Sequence, residues 1–514
     1  MSCWILLGII AVALVFHLWG IKRNLPFMPE PDEKAFVTPA VRIAASGDLD
    51  PGWFGHPGST VIYPLAGVYH IWNSLAHGGR LLRSDPELQA RFDSAPGEFY
   101  LIGRLLAISY AIASLPLIYL LGRRIFDWRV GLIAAWFSAL TPLAVSYAKT
   151  VRSDSAAVFF GVLALWLCLR VYDRPSTRNQ VATGAAVGLA IATRYFMAAL
   201  IPVLLAVDGL IFWRKRTHRE IPGSLWIGVA AGLLAIAVAF VVTTPYLLLR
   251  LTTAVNDLQF EARDTAIGTS GSRTGNFFWY LTTGIPMSVP WPQLVLAVVG
   301  IGLAIRKRTP PPMLLLGMVT VFLFEISLML QHVERWLVPI LPLFSVLAAY
   351  ALSVVIDHSS TRFHLSLRAR QALFAASLAL VSAWSIYQLV RLDIRHSSPS
   401  TPILARDWII ENLEPGSRIA LDRFTAPLTE TDFVVSKHRG LARNRTLDYY
   451  YREGYRYIVA SSAMYDAYMA ERDLYRSEAE FYSRLFDEGR LLQEFVPSPS
   501  RDGSVIRIYE LKRD

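Results

Sequence analysis

Three short polar clusters border apolar runs of the chain, and each carries residues that can move protons or grip anions. The first is Pro29-Glu30-Pro31-Asp32-Glu33-Lys34. Adjacent carboxylates can deprotonate a nucleophile, hold a divalent cation or bind a cationic group. They can equally begin a helix, with Asp32 as its cap and Glu33 favourable in the first turn. The second cluster, Lys149-Thr150-Val151-Arg152-Ser153-Asp154, sets two cations beside a carboxylate, although a solvated span end looks the same. The third is Gln331-His332-Val333-Glu334-Arg335-Trp336. Its Arg335 is either a two-point grip on phosphate or a side chain snorkelling at an interface. Arg194 closes an apolar run within Ala192-Thr193-Arg194-Tyr195, where a buried charge demands a partner or a polar cavity. Arg104 and Glu325, each inside an apolar run, raise the same demand.

What must position these groups is a membrane domain. Of 514 residues, 54% are hydrophobic and 18% charged, against about 25% in ordinary soluble domains, and 14 are Trp. Repeated uncharged runs near 20 residues exclude disorder and a disulfide-stapled miniprotein. The two cysteines, Cys3 and Cys168, lie in apolar runs without CxxC, zinc or haem spacing, which excludes sulfur-based metal or redox chemistry. Walker, GxGxxG, GxSxG and HExxH patterns are missing, so nucleotide-driven transport and zinc proteolysis lack support.

The apolar run 2–21 reads as a retained anchor. Ten further spans are expected near 101–121, 130–147, 155–171, 181–196, 197–213, 223–247, 290–305, 313–331, 336–356 and 371–390, giving about 11 transmembrane helices. The stretch 181–213 must hide a turn. Arginine clusters around 123–129, 170–178, 214–219, 306–308 and 362–370 mark cytoplasmic loops. The net charge of +10 therefore belongs to topology and not to nucleic acid. This places the amino terminus in the cytoplasm and the segments 148–154, 248–289, 332–335 and 391–514 outside. Residues 58–77 are uncharged apart from histidine. Pro64, several polar residues and interfacial aromatics favour a helix lying at the membrane surface over an extra span, making 22–99 one large extracytoplasmic loop.

The expected organisation is thus a polytopic α-helical membrane domain, 1–390, followed by a soluble extracytoplasmic α/β domain, 391–514. Helices are expected at 401–413 and 476–488, and strands at 418–424, 431–436, 455–461 and 503–511. Nine of the 22 tyrosines fall between 449 and 482; packing explains them more simply than sugar stacking.

With these pieces the chain resembles the integral-membrane glycosyltransferases that use polyprenyl-phosphate sugars, of the protein O-mannosyltransferase and aminoarabinose-transferase type. The resemblance starts at Pro31-Asp32-Glu33, Gly47-Asp48 and Trp53-Phe54-Gly55-His56-Pro57. It continues through Tyr147-Ala148-Lys149, Arg152-x-Asp154, Gly188-Leu189-Ala190, Thr193-Arg194-Tyr195 and Thr244-Pro245-Tyr246 to Arg335-Trp336. It implies a GT-C-like fold and transfer of a hexosyl or pentosyl group from a dolichyl- or undecaprenyl-phosphate donor to a protein hydroxyl, lipid or glycan, in a bacterial inner membrane. Asp32 would be the catalytic base, with Glu33 and Asp154 assisting. Arg152, Arg194, Arg335 and Lys149 would bind donor phosphate, and His56 and His332 would contact substrate. Asp32, Glu33 and Asp154 are also the residues available to a divalent cation, should one be used. The family's usual His-Pro-Pro is His56-Pro57-Gly58 here, and its late Arg-Tyr is Arg335-Trp336.

A phosphate leaving group needs little protonation, so one carboxylate base and a set of cations suffice. A single displacement would invert the anomeric carbon. The rival from another class is a transporter or lipid flippase, which would account for many spans and for Arg194 and Glu325. It accounts poorly for the long first loop and the α/β tail.

Overall fold

The computed structural model describes all of the chain except residues 1, 28–29, 56–57, 79–84, 218–222, 262–272, 429–431, 439 and 512–514. It divides into two units, Met1–Leu18 with Glu30–Val390, and Trp19–Pro29 with Arg391–Asp514.

The first unit is helical. Helix α1 (Ser2–Leu18) precedes a 3-10 turn, Pro31–Glu33, which runs into α2 (Lys34–Ser46), followed by α3 (Ser59–His77) and α4 (Pro86–Ser94). Then come α5 (Pro96–Ile125), α6 (Trp128–Ala139), α7 (Pro142–Ala148), α8 (Asp154–Asp173), α9 (Thr177–Thr193), α10 (Leu200–Thr217) and α11 (Gly223–Thr243). Short helices α12 (Pro245–Leu249), α13 (Leu251–Glu261), α14 (Arg273–Trp279) and α15 (Ile285–Ser288) lead to α16 (Trp291–Lys307), α17 (Pro310–Ser327), α18 (Leu341–Arg362) and α19 (Leu367–Ser397). Among the described residues seven helical stretches are long and apolar enough to cross a membrane, and eight if the bent pair α6–α7 counts as one. This is a multi-pass membrane protein.

Each expected span contains a helix, but α1, α9 and α16 have 17 residues each. That is about 25 Å at ~1.5 Å per residue, short of a ~30 Å hydrocarbon core. The expected span 130–147 is two helices meeting at 61°. Pro142 lacks an N–H donor and forces the residue before it out of helical geometry; Thr141 is extended, with ψ 109°. The turn expected within 181–213 falls at Arg194–Ala199, where an extended residue and a 3-10 turn separate α9 from α10.

Small residues let the helices touch. A Cβ built on Gly184 would lie 2.1 Å from the carbonyl oxygen of Gly232, and one on Gly188 2.5 Å from that of Ile236, so α9 packs backbone to backbone on α11. Helix α3 is not among the stretches apolar enough to span. Its polar residues are tied down. Thr60 shares a 2.6 Å bond with Thr193, and Asn73 joins Asp85 at 2.6 Å and Arg91 at 2.9 Å.

The second unit carries α20 (Thr401–Asn412), β1 (Arg418–Leu421), β2 (Val434–Lys437), α21 (Leu447–Arg452), β3 (Tyr457–Ser461), α22 (Ser462–Ala470), α23 (Arg476–Glu488), β4 (Arg490–Phe495) and β5 (Ile506–Glu510). The sheet order is β2-β1-β3-β5-β4; β1 runs parallel to β2 and β3, whereas β5 is antiparallel to β3 and β4. Ile409, Ile419, Val459 and Ile508 form its core. Tyr482 is buried against Tyr465 and Tyr468 in tilted and stacked contacts, and Tyr450 is buried edge-on to Tyr449 and Tyr455, so most of the tyrosine run is packing. Strand β4 was not among the expected strands. It follows α23 directly, pairs on one side only and carries a register shift between Leu491 and Gln493, all of which weaken its alternation.

Candidate functional site

Glu30 starts the 3-10 turn. Its backbone N–H donates to Glu33 Oε2 at 2.9 Å and Pro31 takes the first helical position, a capping arrangement that leaves Asp32 out. The expectation that Asp32 caps the helix is therefore corrected: Glu30 and Glu33 do that work, and the Asp32 carboxylate points elsewhere. Arg152 Nη1 donates to Asp32 Oδ2, and Arg335 Nη1 donates to the same oxygen at 2.9 Å.

One residue on, Glu33 faces inward and is fully buried. Arg104 grips it in a fork, Nε to Oε1 and Nη2 to Oε2, both at 2.8 Å. The Val151 N–H adds a bond to Oε1 at 2.9 Å. Glu33 thus ties the first loop to α5 and to the turn before α8, and Arg104 has the partner its burial demands.

That turn presents Arg152 and Asp154. Arg152 Nε donates to Asp154 Oδ2 at 3.1 Å, and Arg194 Nη1 donates to Asp154 Oδ1. Burial works against the charge of Arg152, but Asp154 and Asp32 beside it outweigh that and raise its pKa above the ordinary arginine value. Arg194 arrives because α9 ends there, at an extended residue that turns the side chain back toward α8.

Arg335 is carried by the 3-10 turn Glu334–Ile340 ahead of α18. Its Nε is buried with no acceptor among the described residues. The preceding residues are pinned by Tyr280, whose hydroxyl accepts from Val333 N at 3.2 Å, within the π-helical turn Tyr280–Gly284. Tyr147 donates to Glu334 Oε1 at 3.3 Å and lies 5.6 Å beneath Arg152.

Four separate chain segments therefore bring Asp32, Arg152, Asp154, Arg194 and Arg335 into one bonded array, three guanidinium groups against two carboxylates. Only Asp32 among the acidic candidates is open, with its side chain 38% exposed, against 1% for Asp154 and 0% for Glu33. Lys149 is buried in the same turn, within electrostatic reach of His17 of α1. His332 lies to one side, 3.0 Å from Asn276 and tilted over Trp279 at 4.3 Å, and partial burial lowers its pKa. His56 lies outside the described residues. Glu325 sits on α17, its Oε2 without a partner among the described residues. Among the described residues no group of three or more His, Cys, Asp or Glu is placed to hold a metal ion; Asp32, Glu33 and Asp154 each turn to arginines. Sequence reasoning did not single out Asn276, Trp279 or Tyr280. Their one signal is a polar residue heading the aromatic run Asn276-Phe277-Phe278-Trp279-Tyr280.

A family model described as dolichyl-phosphate-mannose-protein mannosyltransferase matches residues 101–249, a stretch that includes Arg152, Asp154 and Arg194. Two relatives from Pseudomonas fluorescens, named undecaprenyl phosphate-alpha-4-amino-4-deoxy-L-arabinose arabinosyl transferases 1 and 2, are each 27% identical, over 63% and 51% of this chain. The chain spans about half the length of these relatives, 59% and 44%. Among solved structures, ArnT from Cupriavidus metallidurans in the apo state is similar at TM-score 0.54 and 17% identity, with 99% of this chain and 98% of that one covered. The same protein bound to undecaprenyl phosphate gives 0.52, with 18% identity and coverage of 99% and 98%. An archaeal oligosaccharyltransferase, AglB from Archaeoglobus fulgidus, in complex with an inhibitory peptide and a dolichol-phosphate, gives 0.51 at 14% identity, covering 97% of this chain and 74% of that one. The chain has the GT-C fold, and the resemblance to polyprenyl-phosphate-sugar glycosyltransferases read from its motifs holds.

Proposed function

We propose that this chain is a membrane glycosyltransferase that takes a sugar from a polyprenyl-phosphate donor and passes it to an acceptor on the extracytoplasmic side. The observation that carries the reading is the contrast among three carboxylates. Asp32 is reachable, while Glu33 and Asp154 are buried and bonded to arginine. Asp32 takes the proton of the acceptor hydroxyl as its oxygen attacks the anomeric carbon; the bond to phosphate breaks and the phosphate leaves with the electron pair. Arg152 and Arg335, whose Nε has no acceptor among the described residues, receive that phosphate, a task suited to the planar guanidinium fork. Arg194 and Asp154 hold Arg152 in place, and Glu33 holds the loop bearing Asp32. One displacement inverts the sugar, and no step is routed through a metal. His332, stacked on Trp279, borders the sugar or the acceptor.

The bacterial relatives, named as undecaprenyl-phosphate enzymes, favour that lipid and the inner membrane. In that setting the Asp32 array and the tail face the periplasm. Cysteine introduced at Asp48 and Gly440 in a Cys3-free chain should label from outside in intact cells; protection at 48 with labelling at 440 would mean that α3 spans. The reaction is tested with purified protein and radiolabelled undecaprenyl-phosphate sugar. Label should move to an acceptor extracted from the same membranes. Movement of intact lipid across vesicles without transfer would make the chain a flippase.

A further inference from the structure

Helix α5 and the stretch that ends in α18 both measure the distance from the Asp32 array to the opposite membrane face. From Arg104, bonded to Glu33, to Arg124 is about 30 Å along α5 at ~1.5 Å per residue, close to the hydrocarbon thickness. From Arg335 to Asp357 is about 35 Å, at ~2.0 Å per residue through the 3-10 turn and ~1.5 Å beyond it. At that far end α1, α6, α18 and α19 enclose a cleft of about 700 Å³. This is within the ~300–1,000 Å³ typical of ligand sites. Ile5, Ile9, Leu132, Trp136, Phe374 and Leu378 line it.

The mouth of the cleft is cationic. Arg370 donates to Asp357, and Arg129 Nη1 lies 3.6 Å from the same carboxylate oxygen. The two guanidinium groups, with side chains 38% and 45% exposed, thus share one anion. Nearby Asp127 is occupied in capping α6 through the Arg129 and Val130 N–H groups, and Arg123 lies beside it. Trp128, under Arg129 at 5.6 Å, is the aromatic expected at headgroup depth. An apolar slot ending in two arginines that one carboxylate does not neutralise matches a lipid with a negative headgroup.

We propose that this cleft binds one anionic phospholipid from the leaflet opposite the Asp32 array, its phosphate at Arg129 and Arg370 and an acyl chain between α1 and α19. The site rests on the chain being a membrane protein and is independent of the sugar-transfer reading. Its lipid differs from the donor, whose phosphate belongs some 30 Å away by the helix rise used above.

The test is native mass spectrometry of the full purified chain offered dioleoyl phosphatidylglycerol or phosphatidylcholine. Phosphatidylglycerol should be retained at least tenfold better, and Arg129→Gln with Arg370→Gln should abolish the preference. Gly8 lines the cleft, and a Cβ there meets nothing within 4 Å. Gly8→Phe should therefore exclude phosphatidylglycerol while the melting temperature stays unchanged. Equal retention of both lipids, or a preference that survives the double substitution, would overturn the site. So would displacement of phosphatidylglycerol by equimolar undecaprenyl phosphate, which would make the cleft a donor site, or a dimer that Gly8→Phe dissociates, which would make it a subunit interface.

Discussion

Asp154 in the membrane unit and Asp422 in the tail are nearly equally buried, at 1% and 4% exposure, but their surroundings differ in kind. Asp154 is met by two guanidinium groups. Asp422 is met by neutral donors, the Tyr482 hydroxyl at 2.6 Å and the Arg423 and Leu441 N–H groups at 3.0 and 3.3 Å. Burial pushes the Asp422 carboxyl up to about 6, and those hydrogen bonds recover only part of the cost. The difference teaches what the arginines are for. A buried carboxylate without a countercharge becomes a titrating group, whereas an array of alternating charges stays fixed, which is what the proposed exchange of a carboxylate for a phosphate requires.

The largest effect should come from unbalancing the most buried pair. Glu33→Gln takes the negative charge out of the fork that Arg104 makes with it, so the chain should lose about 3–5 kcal/mol of stability, read as a lower melting temperature. Converting both residues to methionine should recover much of it. Full stability in the single variant would mean that water already reaches this pair. Next, Arg152→Ala removes the guanidinium shared by Asp32 and Asp154, and kcat/KM should fall roughly 10²- to 10³-fold, as when one donor to a developing negative charge is lost. A change confined to KM would place Arg152 in ground-state binding alone.

Asp422 sharpens the comparison through pH. Its folded pKa is raised, so the stability it contributes is fully present below about 4 and lost as pH rises through about 6. This amounts to about 3 kcal/mol at about 1.4 kcal/mol per pKa unit. Amide protection in β3 and α23 should decline over that window in the full chain and lose this slope in Asp422→Asn. An unchanged slope would assign the titration to another group. The smallest effect is expected of Arg335→Lys, which keeps the charge but loses the fork. The donor concentration needed for half-maximal rate should rise roughly tenfold, whereas no change would leave Arg335 a snorkelling side chain.

Much of this was legible because charge is rare in an apolar chain. Asp32, Arg152, Asp154, Arg194 and Arg335 stand out for that reason, and the structure draws all five together. Their pairing was not legible. Asp32 and Glu33 look alike in sequence, and only the 3-10 turn started by Glu30 and Pro31 sends one outward and the other to Arg104. The α6–α7 bend shows the same limit, since the apolar run across Pro142 hides a break that backbone sterics impose. In the tail, β4 escaped because an edge strand with a shifted register carries a weak period-2 signal.

In the proposed reaction Asp32 is the base within a phosphate-binding array. The direct measurement is Asp32→Asn in purified protein, with undecaprenyl-phosphate binding and single-turnover sugar transfer followed side by side. Because general-base catalysis is worth typically ~10²- to 10⁴-fold, transfer should fall at least a hundredfold while the lipid phosphate still binds, the amide having removed a competing negative charge from Arg152 and Arg335. Transfer within tenfold of wild type would contradict the account and move the search for the base away from Asp32.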